Sequence, residues 1–169
     1  MSCVIVNDAS ALIDLKKGEL LHVLGALPFR WIIPLPIREE EILSFSGQDW
    51  AILDAAGFEV FDLPPNLVGQ AFAVRREFPR LSANDCFCLV SAEDQENSVL
   101  LTGDGALRTI AAARAVEVHG VLWIVDHLHA SEVCDPNLLR RALTIWDADP
   151  AVRLPRREIA ARLRRLGEV

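Results

Sequence analysis

LLTGDGALR, residues 100–108, puts an aspartate where an apolar run ends and a helix-like segment begins. Val99, Leu100 and Leu101 read as a short buried strand, Thr102-Gly103 breaks it, and Ala106 to Ala115 carries helical spacing after Asp104. The stretch CVIVNDASAL, residues 3–12, has the same form: the chain is apolar from Cys3 to Val6 and then delivers Asp8. A carboxylate that twice follows a buried strand asks for a reason.

Working outward, strands are predicted at 3–7, 29–33, 58–63, 98–101 and 116–118. Between them the apolar spacing predicts helices. Ser10 is the expected N-cap of the first, over 11–24, with a break near Gly18. Others are expected from Ile37 to Leu43, at 48–57, at 67–78 closed by Pro79, from Ser82 to Asp94, at 106–115, at 136–146 and at 156–166. Gly120 to His127 is apolar and ambiguous. Short apolar strands alternating with helices define an α/β chain with a parallel sheet. In such sheets ligands bind beyond the carboxyl ends of the strands, where Asp8 and Asp104 would both lie.

The 169 residues, 51% of them hydrophobic, suffice for one core. We expect a domain over residues 1–146 and a basic helical tail over 147–169, packed on it or extending from it. No run approaches the roughly 20 apolar residues of a membrane span, and Met1 is not followed by a signal-peptide pattern, so a cytoplasmic protein is expected. Cys3, Cys86, Cys88 and Cys134 form no C-x-x-C pair and read as small core side chains in a reducing compartment. His127 and His129 have no partner motif and read as surface or loop histidines. Charge is uneven: residues 1–135 hold 9 Lys/Arg against 20 Asp/Glu, whereas 136–169 hold 8 Arg against 4 acids. An acidic body suits a metal or a basic partner better than indiscriminate phosphate binding.

Besides Asp8 and Asp104, two acidic positions stand out. Glu40 lies in the run Glu39-Glu40-Glu41 after IIPLPI, and Asp85 lies in LSANDCFCLVSA. Each has a structural reading: Asp8 as a turn former, the glutamates as a first helical turn, Ser82-x-x-Asp85 as a capping box, Asp104 as an N-cap. Several carboxylates at one crevice repel one another. A hard divalent ion relieves that repulsion and lends itself to phosphodiester hydrolysis. The absence of a His/Cys ligand pattern disfavours zinc.

Taken in order, VNDASALIDL, IIPLPIREEEI, LSANDCFCLVSA and LLTGDGALRTIAA resemble the PIN domain over roughly residues 3–128. The tail, from GVLWIVDHL to LPRREIAARLRRL, is similar to a PIN branch of uncharacterised prokaryotic and toxin-like proteins. The resemblance implies a three-layer α/β/α sandwich with a central parallel sheet. It implies a Mg²⁺- or Mn²⁺-dependent ribonuclease like the virulence-associated-protein C toxins, with RNA as substrate, an antitoxin as a possible partner and a homodimer as a possible assembly. By position, Asp8, Asp85 and Asp104 match the family's acids. Pro34, Ile37 and Glu40 fit its P-x-x-[VI]-x-x-E pattern, which selects Glu40 over Glu39 and Glu41. Ser10 and Thr102 match its supporting hydroxyls. Arg75, Arg76, Arg80 and Arg108, with the tail, are the expected RNA clamps. Where many members carry a further acid after the last aspartate, this chain has Gly105, Ala106 and Leu107, which predicts weaker metal binding on that side.

Other α/β families fit worse. A haloacid-dehalogenase phosphatase needs an Asp where Ser10 stands, a receiver domain needs a late Lys that this chain lacks, and a dinucleotide-binding turn needs glycines absent from NDASA. The remaining alternative is a catalytically silent PIN-like module that binds a protein or nucleic acid.

Overall fold

A computed structural model describes residues 2–167. Five parallel strands form one sheet in the order β3-β2-β1-β4-β5: β1 (Val4–Asn7), β2 (Arg30–Pro34), β3 (Glu59–Phe61), β4 (Ser98–Leu101) and β5 (Val118–His119). The central strands are apolar throughout because both faces are covered. Ile5, Val6, Ile32, Ile33, Leu100 and Leu101 are all buried.

The chain steps from β1 to β2 to β3 in one direction across the sheet, then returns to lay β4 and β5 on the other side of β1. Parallel crossovers are right-handed, so this reversal sends the helices of the two halves to opposite faces. Helix α1 (Ala9–Lys17) follows β1 and packs with α6 (Val121–Ala130) and α7 (Pro136–Ala148). Helix α4 (Ala83–Asp94) lies over β1, β2 and β4, between α3 (Pro65–Glu77) and α5 (Gly105–Ala113). The result is the α/β/α sandwich that the PIN resemblance implies, around the parallel sheet that the strand–helix alternation predicts. The switch point falls between β1 and β4, where a crevice opens in doubly wound sheets.

Local structure departs from expectation at a few places. Helix α1 begins at Ala9, so Asp8, not Ser10, occupies the N-cap position, and its side chain does not cap the helix. The break near Gly18 is real: α1 ends at Lys17 and a 3-10 segment, Leu21–Ala26, follows. Ile37–Glu41 is a π-helical turn, closed by a bond from Ile42 N–H to the Ile37 carbonyl at 3.1 Å. Helix α2 (Gly47–Ala55) leads to β3 as expected. The ambiguous stretch after Gly120 is α6, and it carries His127 and His129 half-buried on a helix, not in a loop. His127 packs edge-on against Trp123 and Phe29. All four cysteines are free, with Cys86 and Cys88 in the core.

Helix α8 (Arg156–Gly167) lies against α7 and buries Ile159 and Leu166. Arg162 donates to both carboxylate oxygens of Asp126 on α6, at 2.8 and 2.7 Å, and Arg140 donates to the Leu166 carbonyl. The tail's end, residues 168 and 169, and Met1 lie outside the described residues.

Trp146 of α7 is buried and donates its indole N–H to the Asp14 carbonyl at 2.7 Å. A Cβ on Gly18 would stand 2.7 Å from Trp146 Cζ2. Gly18→Ala is therefore expected to displace the indole and cost about 1–3 kcal/mol. Gly69, inside α3 with open space around its Cβ position, gives the opposite result. Gly69→Ala should gain about 0.5–1 kcal/mol from helix propensity. Guanidinium unfolding midpoints of the two variants check both signs.

Candidate active site

Strands β1 and β4 run side by side in register, with Asn7 opposite Leu101. The ladder continues one step past the sheet, since Asp8 N–H bonds the Leu101 carbonyl at 3.0 Å. Asp8 and Thr102 thus leave the carboxyl edge together, both buried, at 3% and 0% exposure. Thr102 Oγ1 donates to Asp8 Oδ2 at 2.7 Å, and Ser10 Oγ donates to the same oxygen at 2.8 Å. Each hydroxyl also accepts a backbone N–H from the β4–α5 corner: Ser10 that of Gly103, at 2.9 Å, and Thr102 that of Asp104, at 3.0 Å. This network ties the start of α1 to the start of α5.

Asp104 is the N-cap of α5 and accepts the Leu107 N–H at 2.8 Å. Asp85 forms the expected capping box of α4: its Oδ2 accepts the Ser82 N–H at 2.9 Å, while Ser82 Oγ accepts the Asp85 N–H at 3.0 Å. The structural readings of these two aspartates are therefore realised. They do not exhaust the side chains, because a carboxylate has two oxygens and about four acceptor positions.

The acids feel one another's charge. Burial pushes the Asp8 carboxyl above its ordinary value and Asp85 adds to this, while the Thr102 and Ser10 hydroxyls and the Ala9 N–H pull it back. Asp85 is raised by burial and by Asp104. Glu41 is raised by burial, then by Asp8 and Asp85, and is hydrogen-bonded by Asn84. The buried Cys88 thiol, 3.9 Å from Asp8 Oδ1, is pushed up by burial and by the charges of Asp8, Glu41 and Asp85. Cys88 is thus buried beneath the acids, against Asp8.

Glu39, Glu40 and Glu41 lie on the π turn, which closes from residue 37 to 42 and is wider than an α turn. Of the three, Glu41 feels the charges of Asp8 and Asp85, so it stands as a candidate beside Glu40, the residue that the family pattern selects.

The arginines divide. Arg108, on α5, shares with Ser10 and Asp104 a groove of about 630 Å³ that extends to Arg153 in the tail. Arg80 lines a separate depression with Ala106 and Thr109. Arg75 and Arg76 are exposed near the end of α3. Asp14, half-buried in the Arg108 groove, has its carboxyl pushed up to about 6 by burial, with Lys17 opposing and Asp149 adding.

The donor set is all hard oxygen, which suits Mg²⁺ or Mn²⁺. Among the described residues no three acidic, His or Cys side chains converge closely enough to hold an ion by themselves. Mg²⁺ does not require that: it is usually held by one or two carboxylates, with water and substrate phosphate in the other positions. The residues present fit such a water-rich centre.

The chain belongs to the PIN domain family, whose model matches residues 4–168. The sandwich is that of a nuclease-type fold, and PIN domains are generally nucleases, hydrolases that act on nucleic acid. No curated protein matches the chain. No helix among the described residues is long and apolar enough to cross a membrane.

Because burial raises Asp8 in the fold, the folded state binds its proton more tightly than the unfolded chain. Stability from this group is then lost as pH rises through and above the ordinary carboxylate range. Asp8→Asn is expected to unfold a few degrees higher than the parent at pH 7 without metal, the gap closing toward pH 4. Mn²⁺ should raise the parent's unfolding temperature and leave the variant unchanged. Thermal scans from pH 4 to 8 test both statements.

Proposed function

We propose that this PIN domain is a Mg²⁺- or Mn²⁺-dependent endoribonuclease. The observation that carries the reading is Asp8: buried at a strand end, released from capping its own helix, held by two hydroxyls and raised by a neighbouring carboxylate. A fold tolerates a buried charge only when something compensates it, and a perturbed acid in a cleft is a functional candidate.

In this reading one or two of Asp8, Asp85, Asp104 and the glutamate of the π turn, Glu41 in preference to Glu40, hold the ion directly, and the others hold it through water. A divalent ion there supplies Lewis acidity, charge neutralisation and activation of water for in-line attack on a phosphodiester. Thr102 and Ser10 fix the position of the Asp8 carboxylate, and Arg108 holds substrate phosphate. Toxin activity controlled by an antitoxin, assembly as a homodimer and a cytoplasmic location extend the same reading through the family resemblance. A second reading, a catalytically silent binding module, is favoured by the uncharged residues Gly105, Ala106 and Leu107 that follow Asp104.

Titration calorimetry with Mn²⁺, paired with cleavage of single-stranded RNA, separates the two. The parent should bind the ion, with affinity falling as pH drops toward 5 because the raised carboxyls must release protons. Asp8→Asn, Asp104→Asn and Glu41→Gln should each lose more than about 100-fold in cleavage, and Thr102→Val about 10–100-fold. Glu40→Gln should cleave like the parent. A parent that binds no divalent ion at millimolar concentration and leaves RNA intact is a silent module.

A further inference from the structure

We infer that the tail completes the substrate groove: a nucleotide of single-stranded RNA beside the cleaved linkage sits between α5 and the α7–α8 loop, its phosphate between Arg108 and Arg153 and its base against His119. The inference rests on the ribonuclease reading above.

Two adjoining cavities, of about 630 and 270 Å³, share Asp14, Gly103, Arg108, Arg153 and Pro155. The first reaches Ser10 and Asp104; the second ends at His119, Gly120 and Trp123. The sheet makes this continuity, because β5 lies beside β4 and Thr102 N–H bonds the His119 carbonyl at 3.0 Å. The acid edge and the His119 corner are neighbouring strand ends.

Charge in the groove favours an anion. Of its acids, Asp126 pairs with Arg162 and Arg165, and Glu158 with Arg162 and Arg157, which leaves Asp14 and, at the end where the ion would bind, Asp104. Arg108 and Arg153 make no ion pair among the described residues, unlike Arg30, Arg38, Arg114, Arg141 and Arg162 in the same acidic chain. Arg108 lies across the β5–α6 corner, where a Cβ on Gly120 would stand 3.0 Å from its Nη1. Arg153 is held in place by its loop. Val152 beside it is buried, and Asp149 accepts the Ala151 N–H while pairing with Lys17. Gly120 gives α6 no side-chain cap, so the helix's first amides add to the positive character of this wall.

The far wall is aromatic. Trp123 stacks with Phe29, at 5.4 Å between ring centroids, and with His119, at 4.7 Å and 5° from parallel. His119 is the member of this pile that reaches the groove together with Trp123. A flat ring beside two guanidinium groups without an ion pair, in adjoining cavities that run on to Asp104, is the composition that grips single strands without regard to sequence.

Fluorescence anisotropy of a labelled single-stranded oligoribonucleotide, with the full chain in EDTA over a salt series, tests this. Cleavage is assayed separately in Mn²⁺. Arg153→Ala and Arg108→Ala should each weaken binding and flatten the log K against log salt slope by about 0.7. His119→Ala should weaken it about tenfold with the slope unchanged, and His119→Phe should restore it. Arg141→Ala, on α7 and paired to Glu19, should bind like the parent. If the parent binds and cleaves RNA while Arg153→Ala and His119→Ala bind as it does, the groove assignment is wrong and the ribonuclease reading stands. If the parent neither binds nor cleaves, both fall.

Discussion

The in-register parallel pairing of β1 with β4 is the constraint from which the site follows. It brings residues 8 and 102 off the same sheet edge at hydrogen-bond distance. The same pairing is the point where strand order reverses, so α1 departs to one face and α5 to the other and a crevice remains between them. A slip of one residue would turn the alternate side chains of β4 to the wrong face and remove Thr102 from Asp8. Both strands are buried and apolar, so the register is fixed by core packing, and the acid pair inherits that precision.

Electrostatics work against this arrangement, and the fold manages them locally. Asp85 and Asp104 sit at helix N-termini, where backbone N–H groups and the helix dipole favour negative charge. Asp8 receives two hydroxyl donors, and hydrogen bonds to a charged group are each worth about 1.5–3 kcal/mol. Cys88 supplies a small thiol where another carboxylate would add repulsion. The basic tail is not simply a counterweight. Arg162 is committed to Asp126 and Glu158, and Arg140 to the end of α8, so only part of its positive charge faces outward.

Much of this was legible in the sequence. Four-residue apolar runs gave the inner strands almost to the residue, because buried parallel strands admit little else. Asp8 and Asp104 stood out by following such runs, and Ser82-x-x-Asp85 announced a capping box that the structure contains. What was not legible depends on geometry that local pattern does not carry. A π turn has no composition of its own, so the wide turn that carries Glu39, Glu40 and Glu41 was not foreseen. Helix α6 was obscured because its buried face is wide and its apolar run nearly continuous. The Arg153 groove is invisible locally, since it joins residues from both ends of the chain through the packing of α7 and α8.

The capping and functional readings of the acids are best treated as one arrangement. A capping box fixes the rotamer of its carboxylate and leaves acceptor capacity on the outward side, which is what preorganised ligation requires. Capping at Asp85 and Asp104 therefore does not weigh against a metal site, and it supplies the rigidity such a site needs. Asp8 breaks the symmetry. It occupies an N-cap position yet bonds across the sheet edge to Thr102, where it serves no helix. Helix physics accounts for two of the three aspartates, while the third, the most buried, is placed by the sheet edge and joins α1 to the β4–α5 corner through Thr102 and Ser10.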